Sequence, residues 1–168
     1  TWHDMSVGAT ADYSTNTSKI LRQSVITDYQ YNSFFVSANL AFNLIKNIRL
    51  TENCRWAISQ SKSGNYTNMI RNFSNEAALS IAFIPDRLIL NTNLQYTHNS
   101  GFTDKKDYTF MNLSITFKTK KKIQFVLNVD NVFNTKTFIY RSNSNLSESY
   151  TLYQLRPRSV MLTTHFAL

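Results

Sequence analysis

The sequence predicts an all-β protein whose antiparallel strands cross a membrane as a β-barrel, and three observations predict it. First, Phe, Tyr, Ile, Val and Thr, the strand formers, fill short runs that alternate apolar and polar residues with period two; eight such runs can be read. Second, the connections sort by length, long and polar after odd-numbered runs and tight after even-numbered ones. Outer-membrane barrels sort their loops in this way, whereas a soluble sandwich has no reason to. Third, each run is about ten residues long, enough to cross a bilayer core at a steep tilt.

The elements follow in order. A first run, Trp2 to Tyr13, leads into the polar stretch Ser14 to Gln30. The second, Tyr31 to Leu44, is the clearest: Phe34, Val36, Ala38, Leu40, Phe42 and Leu44 share one face, and Phe35, Ser37, Asn39, Ala41 and Asn43 the other. Lys46-Asn47 turns it into the third, Ile48 to Ser59, which sets Ile48, Leu50, Cys54, Trp56 and Ile58 against Arg49, Thr51, Asn53 and Arg55. After Gln60 to Asn75 come Glu76 to Phe83 and Leu88 to Thr97, joined around Pro85-Asp86. The stretch His98 to Asp107 precedes Tyr108 to Lys118, and a turn over Thr119 to Lys122 leads to Ile123 to Asn131. The polar stretch Val132 to Pro157 then separates the last run, Arg158 to Leu168, with Val160, Leu162, Thr164, Phe166 and Leu168 on one side. Aromatics gather near run ends, as two interfacial girdles would require: Tyr13, Tyr31, Phe34, Tyr96 and Tyr108 towards the loops, Phe42, Phe83, Phe117 and Phe166 towards the turns. The inward rows are small or neutral (Ser37, Asn39, Asn43; Ala78, Ser80, Ala82; Asn91, Asn93, Gln95) and suit a wide lumen better than the filled interior of a small closed barrel.

Composition narrows the function classes. With 168 residues, 42 % hydrophobic and 14 % aromatic, the chain is one folded domain, not a disordered segment. The mean hydropathy of −0.31 agrees with strands that face a polar interior on one side. A net charge of +8 raises nucleic acid as a partner, but no basic stripe interleaved with aromatics exists to carry it. The dense run Lys118, Lys120, Lys121 and Lys122 reads as a solvated turn. Cys54 is the single cysteine, so neither a disulfide framework nor a metal pair is expected, and its place on an apolar face suits a small hydrophobe. His3, His98 and His165 lie on different runs and no GxSxG surrounds a serine, so no enzyme, cofactor or metal is expected. No apolar run reaches the length of a membrane helix, and Thr1-Trp2-His3-Asp4 does not open a signal peptide.

Two motifs near the end carry a family resemblance. Asn131-Val132-Phe133-Asn134 closes the seventh run, and Pro157-Arg158 opens the last, which ends on Phe166 and Leu168. In this order and spacing they resemble the C-terminal end of TonB-dependent outer-membrane transporters, strongly over roughly the last fifty residues and by pattern alone before them. The family usually ends on an aromatic; here Leu168 is last, and Phe166 shares its outward face. The resemblance implies that residues 1–168 are C-terminal strands of a barrel of about twenty-two strands, with the plug and TonB-contacting segments outside this chain. It implies a bacterial outer-membrane location and uptake of a scarce nutrient, whether glycan, peptide or metal chelate. Implied partners are outer-membrane lipid, the rest of the barrel and plug, the TonB complex, the barrel-assembly machinery reading Phe166 and Leu168, and a surface lipoprotein. The alternative is a complete eight-stranded barrel with a structural or adhesive role. Ligand contacts are expected from the long loops, where aromatic faces and Asn or Arg forks suit sugars, peptides and chelates: Tyr66, Asn68, Arg71, Tyr140, Arg141, Tyr150 and Tyr153.

Overall fold

Period-two alternation leaves no helical face anywhere in the chain, and no helix occurs among the described residues. The computed structural model describes residues 5–22, 24–101, 106–120, 123–143 and 148–166. Its strands are β1 (Met5–Arg22), β2 (Val25–Ile45), β3 (Ile48–Ser63), β4 (Tyr66–Ile84), β5 (Leu88–Asn99), β6 (Asp107–Lys118), β7 (Ile123–Asp130), β8 (Thr137–Asn143), β9 (Glu148–Gln154) and β10 (Ser159–Phe166). Eight of them form one antiparallel sheet in the order β1-β2-β3-β4-β5-β6-β7-β10, while β8 and β9 pair with each other. The eight predicted runs are the eight strands of the sheet. Among the described residues β1 pairs only with β2 and β10 only with β7, so the sheet is open at both edges.

Register explains why the sheet has two unlike faces. Residues paired across strands share a face, so each row can be followed through the whole sheet. One row runs Met5, Phe42, Leu50, Leu79, Thr92, Leu113, Val129 and Val160, apolar at every strand but one. The row one residue along runs Ser6, Ala41, Thr51, Ala78, Asn93 and Asn112, small or polar throughout. The apolar face is bare. Tyr29, Ile70 and Tyr108 are the buried apolar side chains, whereas Trp56, Phe117, Leu162 and Phe166 stand exposed, Leu162 at 66 %. No second sheet covers that face among the described residues.

Glu52 interrupts the apolar face between Leu40 and Ala77. It is not left without a partner: Asn75 Nδ2 donates to Glu52 Oε1 at 2.8 Å and to Cys54 Sγ at 2.8 Å. Cys54 is thus half-buried in a polar cluster on this face.

Two of the expected long loops are strands. Ser14 to Gln30 continues β1 and β2 in unbroken register as far as the Arg22–Val25 pair, and Gln60 to Asn75 continues β3 and β4 to the Ser63–Tyr66 pair. β2 is 21 residues long, about twice what a bilayer core needs. In these extensions polar residues stand on both faces with apolar ones such as Leu21, Ile26, Met69 and Ile70 scattered among them, so the regular apolar alternation lapses although the ladder does not. Hydroxyl and amide pairs replace apolar contacts, as between Ser14 and Ser33 (3.0 Å) and from Thr15 to Asn32 (2.7 Å). The change falls at an aromatic boundary, where Phe34 meets Trp56 edge-on at 6.0 Å and Phe73 meets Tyr96 at 6.0 Å. At the tight-turn end, bulges between Asn43 and Ile45 and between Ala82 and Ile84 add twist to the sheet. At Gly8 the Asn39 carboxamide of β2 lies over the backbone, so a Cβ there would make that side chain shift.

Candidate functional site

The functional geometry lies on the polar face, and the residues that build it begin at the expected motif. Asn131 and Asn134 hold left-handed backbones (φ 52° and 56°), which asparagine tolerates better than most residues. The Asn131 side chain then ties the two ends of the excursion together. Its Oδ1 accepts from the Thr135 N–H at 2.9 Å, and its Nδ2 donates to the carbonyls of Thr135 (2.9 Å) and Arg156 (2.8 Å). Asn134 Oδ1 accepts from the Arg158 N–H at 3.1 Å, and the Leu155 N–H donates to the Lys136 carbonyl at 2.9 Å. The stretch expected to be an irregular loop, Val132 to Pro157, is therefore a clamped hairpin of β8 and β9.

That hairpin lies against the polar face. Phe138 packs edge-on against Tyr108 at 5.0 Å and Phe110 at 5.6 Å, and Tyr153 stacks on Phe138 from β9 at 6.0 Å. Tyr108, at 3 % exposure, is what the hairpin seals. Between β8 and the sheet lies a cavity of about 420 Å³, lined by Arg55, Asn72 and Thr97 from the sheet, Lys106 from the end of a connection, and Phe138 and Tyr140 from the hairpin. Two further cavities, of about 550 and 370 Å³, lie along the same face. Arg55 borders the larger of these as well, and its guanidinium sits 4.2 Å over the Phe35 ring. Glu76, in that neighbouring cavity, already accepts from Asn93 (2.7 Å) and Gln95 (3.3 Å).

On the opposite face, beyond the aromatic boundary, Asp107 Oδ1 accepts from the Tyr96 hydroxyl at 2.6 Å and pairs with His98 Nδ1 at 2.7 Å. The Tyr96 hydrogen bond, then the His98 contact, hold the Asp107 carboxyl below the ordinary carboxylate range. A depressed carboxylate pKa stabilises the fold above the unfolded value and stops doing so as pH falls through the folded one. Amide protection at His98 and Asn99, taken relative to the intrinsic exchange rate at each pH, is therefore expected to fall as pH drops below about 4. In Asp107→Asn that acid-induced loss of protection should vanish; its survival would show that another group opens this end of the sheet.

The expected ligand residues are distributed unevenly. Tyr140 lines the cavity and Tyr153 belongs to the aromatic cluster beside it. Tyr66 and Asn68 are on β4, on the polar face but in register with Ser63 and Ser61 near the tip of the β3–β4 hairpin. Arg71 is a strand residue on the opposite face, with its Nη2 3.7 Å from Met69 Sδ. Tyr150 pairs with Arg141 on the hairpin face turned away from Phe138. The side chain of Arg141 and all of Leu168, His3, Lys121 and Lys122 lie outside the described residues. Phe166 ends β10 exposed at 70 %, on the apolar face. Arg55, Lys106, Asn72, Thr97, Tyr108 and Phe138 were not expected at a site. The alternation had put Arg55 on the inward face, and that was the available signal. Among the described residues, no group of three or more His, Cys, Asp or Glu side chains is placed to hold a metal. No protein-family model matches the chain, and no curated protein or solved structure is significantly similar to it.

Proposed function

We propose that this chain supplies C-terminal strands of a TonB-dependent outer-membrane transporter, which takes up a scarce nutrient through a plugged barrel. The observation that carries the reading is the sheet's two-facedness: an apolar face bare across all eight strands, backed by a polar face that bears the cavities. Apolar surface of that extent is costly in water and costs nothing in lipid. The apolar band on β3, Ile48 to Ile58, spans roughly 25 Å at an ordinary barrel tilt, and the aromatic boundary marks its loop-side edge. Two open edges, one of them the 18-residue β1, fit a sheet completed by further strands and fit a self-closed barrel poorly. The Asn131 to Asn134 clamp, on the motif shared with the family, gives the hairpin over the lumenal face a fixed hinge.

In this reading the solute meets the cavity under β8 and then the amide-rich rows below it. The plug, the TonB complex and a surface lipoprotein act through parts outside this chain, and the barrel-assembly machinery engages β10. The test is the size of the heat-modifiable species that carries these peptides in outer membranes. A species several times larger than 19.5 kDa is expected. A compact species of 19.5 kDa would overturn the transporter reading and leave a small barrel with a structural or adhesive role.

A further inference from the structure

The cavity beneath the hairpin has an uneven chemistry. Arg55 sits in a row whose other members carry hydroxyls: Thr10, Ser37, Ser74, Thr97 and Tyr108. Lys106 adds a second cation at the rim, and no carboxylate is among the described lining residues. Among the described residues the single ion pair is His98–Asp107; Arg55 has no carboxylate partner there, and Lys106 acts on its neighbour Asp107 only through space. Arg55 is held by the Phe35 ring, which positions the guanidinium without using its donors. Two polar atoms at the same cavity, Asn72 Oδ1 and Thr97 Oγ1, are shielded from water and have no hydrogen-bond partner. Each such atom is costly to leave without a partner.

From these features we infer that the cavity binds a small hydroxylated carboxylate, of the size and kind of a disaccharide sugar acid. The inference rests on the transporter reading and specifies its solute. A carboxylate accepts the planar fork of Arg55 with Lys106 as a second charge. Ligand hydroxyls donate to Asn72 Oδ1 and Thr97 Oγ1 once these side chains turn towards the cavity. Phe138 and Tyr140 give sugar C–H faces an apolar wall, and about 420 Å³ suits a ligand of that size. A cationic solute would meet the positive charge of Arg55, which no carboxylate compensates among the described residues, and a neutral glycan would leave that charge unpaired.

The test is calorimetric binding of digalacturonate and of uncharged digalactose to the full-length protein in detergent. Digalacturonate is expected to bind at least about tenfold more tightly, as a charged hydrogen bond predicts. Arg55→Gln with Lys106→Gln should erase the difference, and Arg55→Lys, which keeps the charge and loses the fork, should reduce it. Lys62→Gln, on the other face of β3, should leave it intact. Heat-modifiability confirms that each variant is folded. Equal affinity for the two sugars, binding of neither, or a preference that survives the double substitution would overturn the inference. Uptake of labelled sugars by cells separates the two readings. Preferential binding without uptake removes the transport role and leaves the anion site, whereas uptake of both sugars without preference removes the anion site and leaves transport.

Discussion

Asn131→Ala is expected to lower the stability of the folded sheet by about 3 kcal/mol, the largest loss foreseen for any loop residue. The substitution removes one accepted and two donated hydrogen bonds, worth about 1 kcal/mol each. It also leaves alanine in a left-handed backbone at φ 52°, a further cost of about 1 kcal/mol that partial solvent exposure of the bonds offsets. Urea unfolding of the full chain in detergent reads the total, and amide exchange across β8 and β9 reads where it acts. Asn131→Gly, which accepts the backbone but not the bonds, should recover roughly a third of the loss. If Asn131→Ala unfolds at the wild-type urea concentration, the clamp does not hold the hairpin, and the cavity beneath it needs another explanation.

The second large effect is a contrast between neighbours. Leu113 and Asn112 are adjacent on β6 and point to opposite faces, Leu113 in the apolar row with Thr92 and Val129, Asn112 in the polar row with Asn93. Leu113→Arg is expected to cost about 2–4 kcal/mol, the penalty for arginine near the middle of a bilayer. Asn112→Arg lies on the polar face and should cost about 1 kcal/mol, chiefly for the hydrogen bond that Asn112 Oδ1 accepts from the Asn131 N–H at 2.9 Å. Folding titrations in lipid vesicles, with the heat-modifiable band as readout, measure both. Equal costs would mean that lipid does not cover the apolar face, and the membrane reading would fall with that result.

Period-two alternation was enough to find all eight sheet strands and to assign their faces, because a one-residue error of register would turn every apolar side chain to the wrong side. The same signal failed where polar residues stand on both faces. Ser14, Thr15 and Asn16 pair with Ser33, Asn32 and Tyr31 as regularly as Phe34 pairs with Ile58, yet nothing in their polarity separates a strand above a membrane from a loop. The β8–β9 hairpin was hidden for a similar reason. Its seven-residue strands stand in a stretch rich in Asn and Ser, and the contact that fixes it joins Phe138 to Tyr108 on a different strand.

Taken alone, the amino-acid order determined the all-β antiparallel class, the division into a greasy and a polar face, and the motif at Asn131 to Asn134. These depend on local alternation and on backbone preferences carried within a few residues. Only the tertiary structure decided which polar residues meet. Arg55, Asn72, Thr97 and Lys106 come from β3, β4, β5 and the connection before β6, and they converge because the ladder registers bring their rows together under β8. The sheet's open edges are likewise a property of pairing between distant strands, which no single strand's sequence encodes.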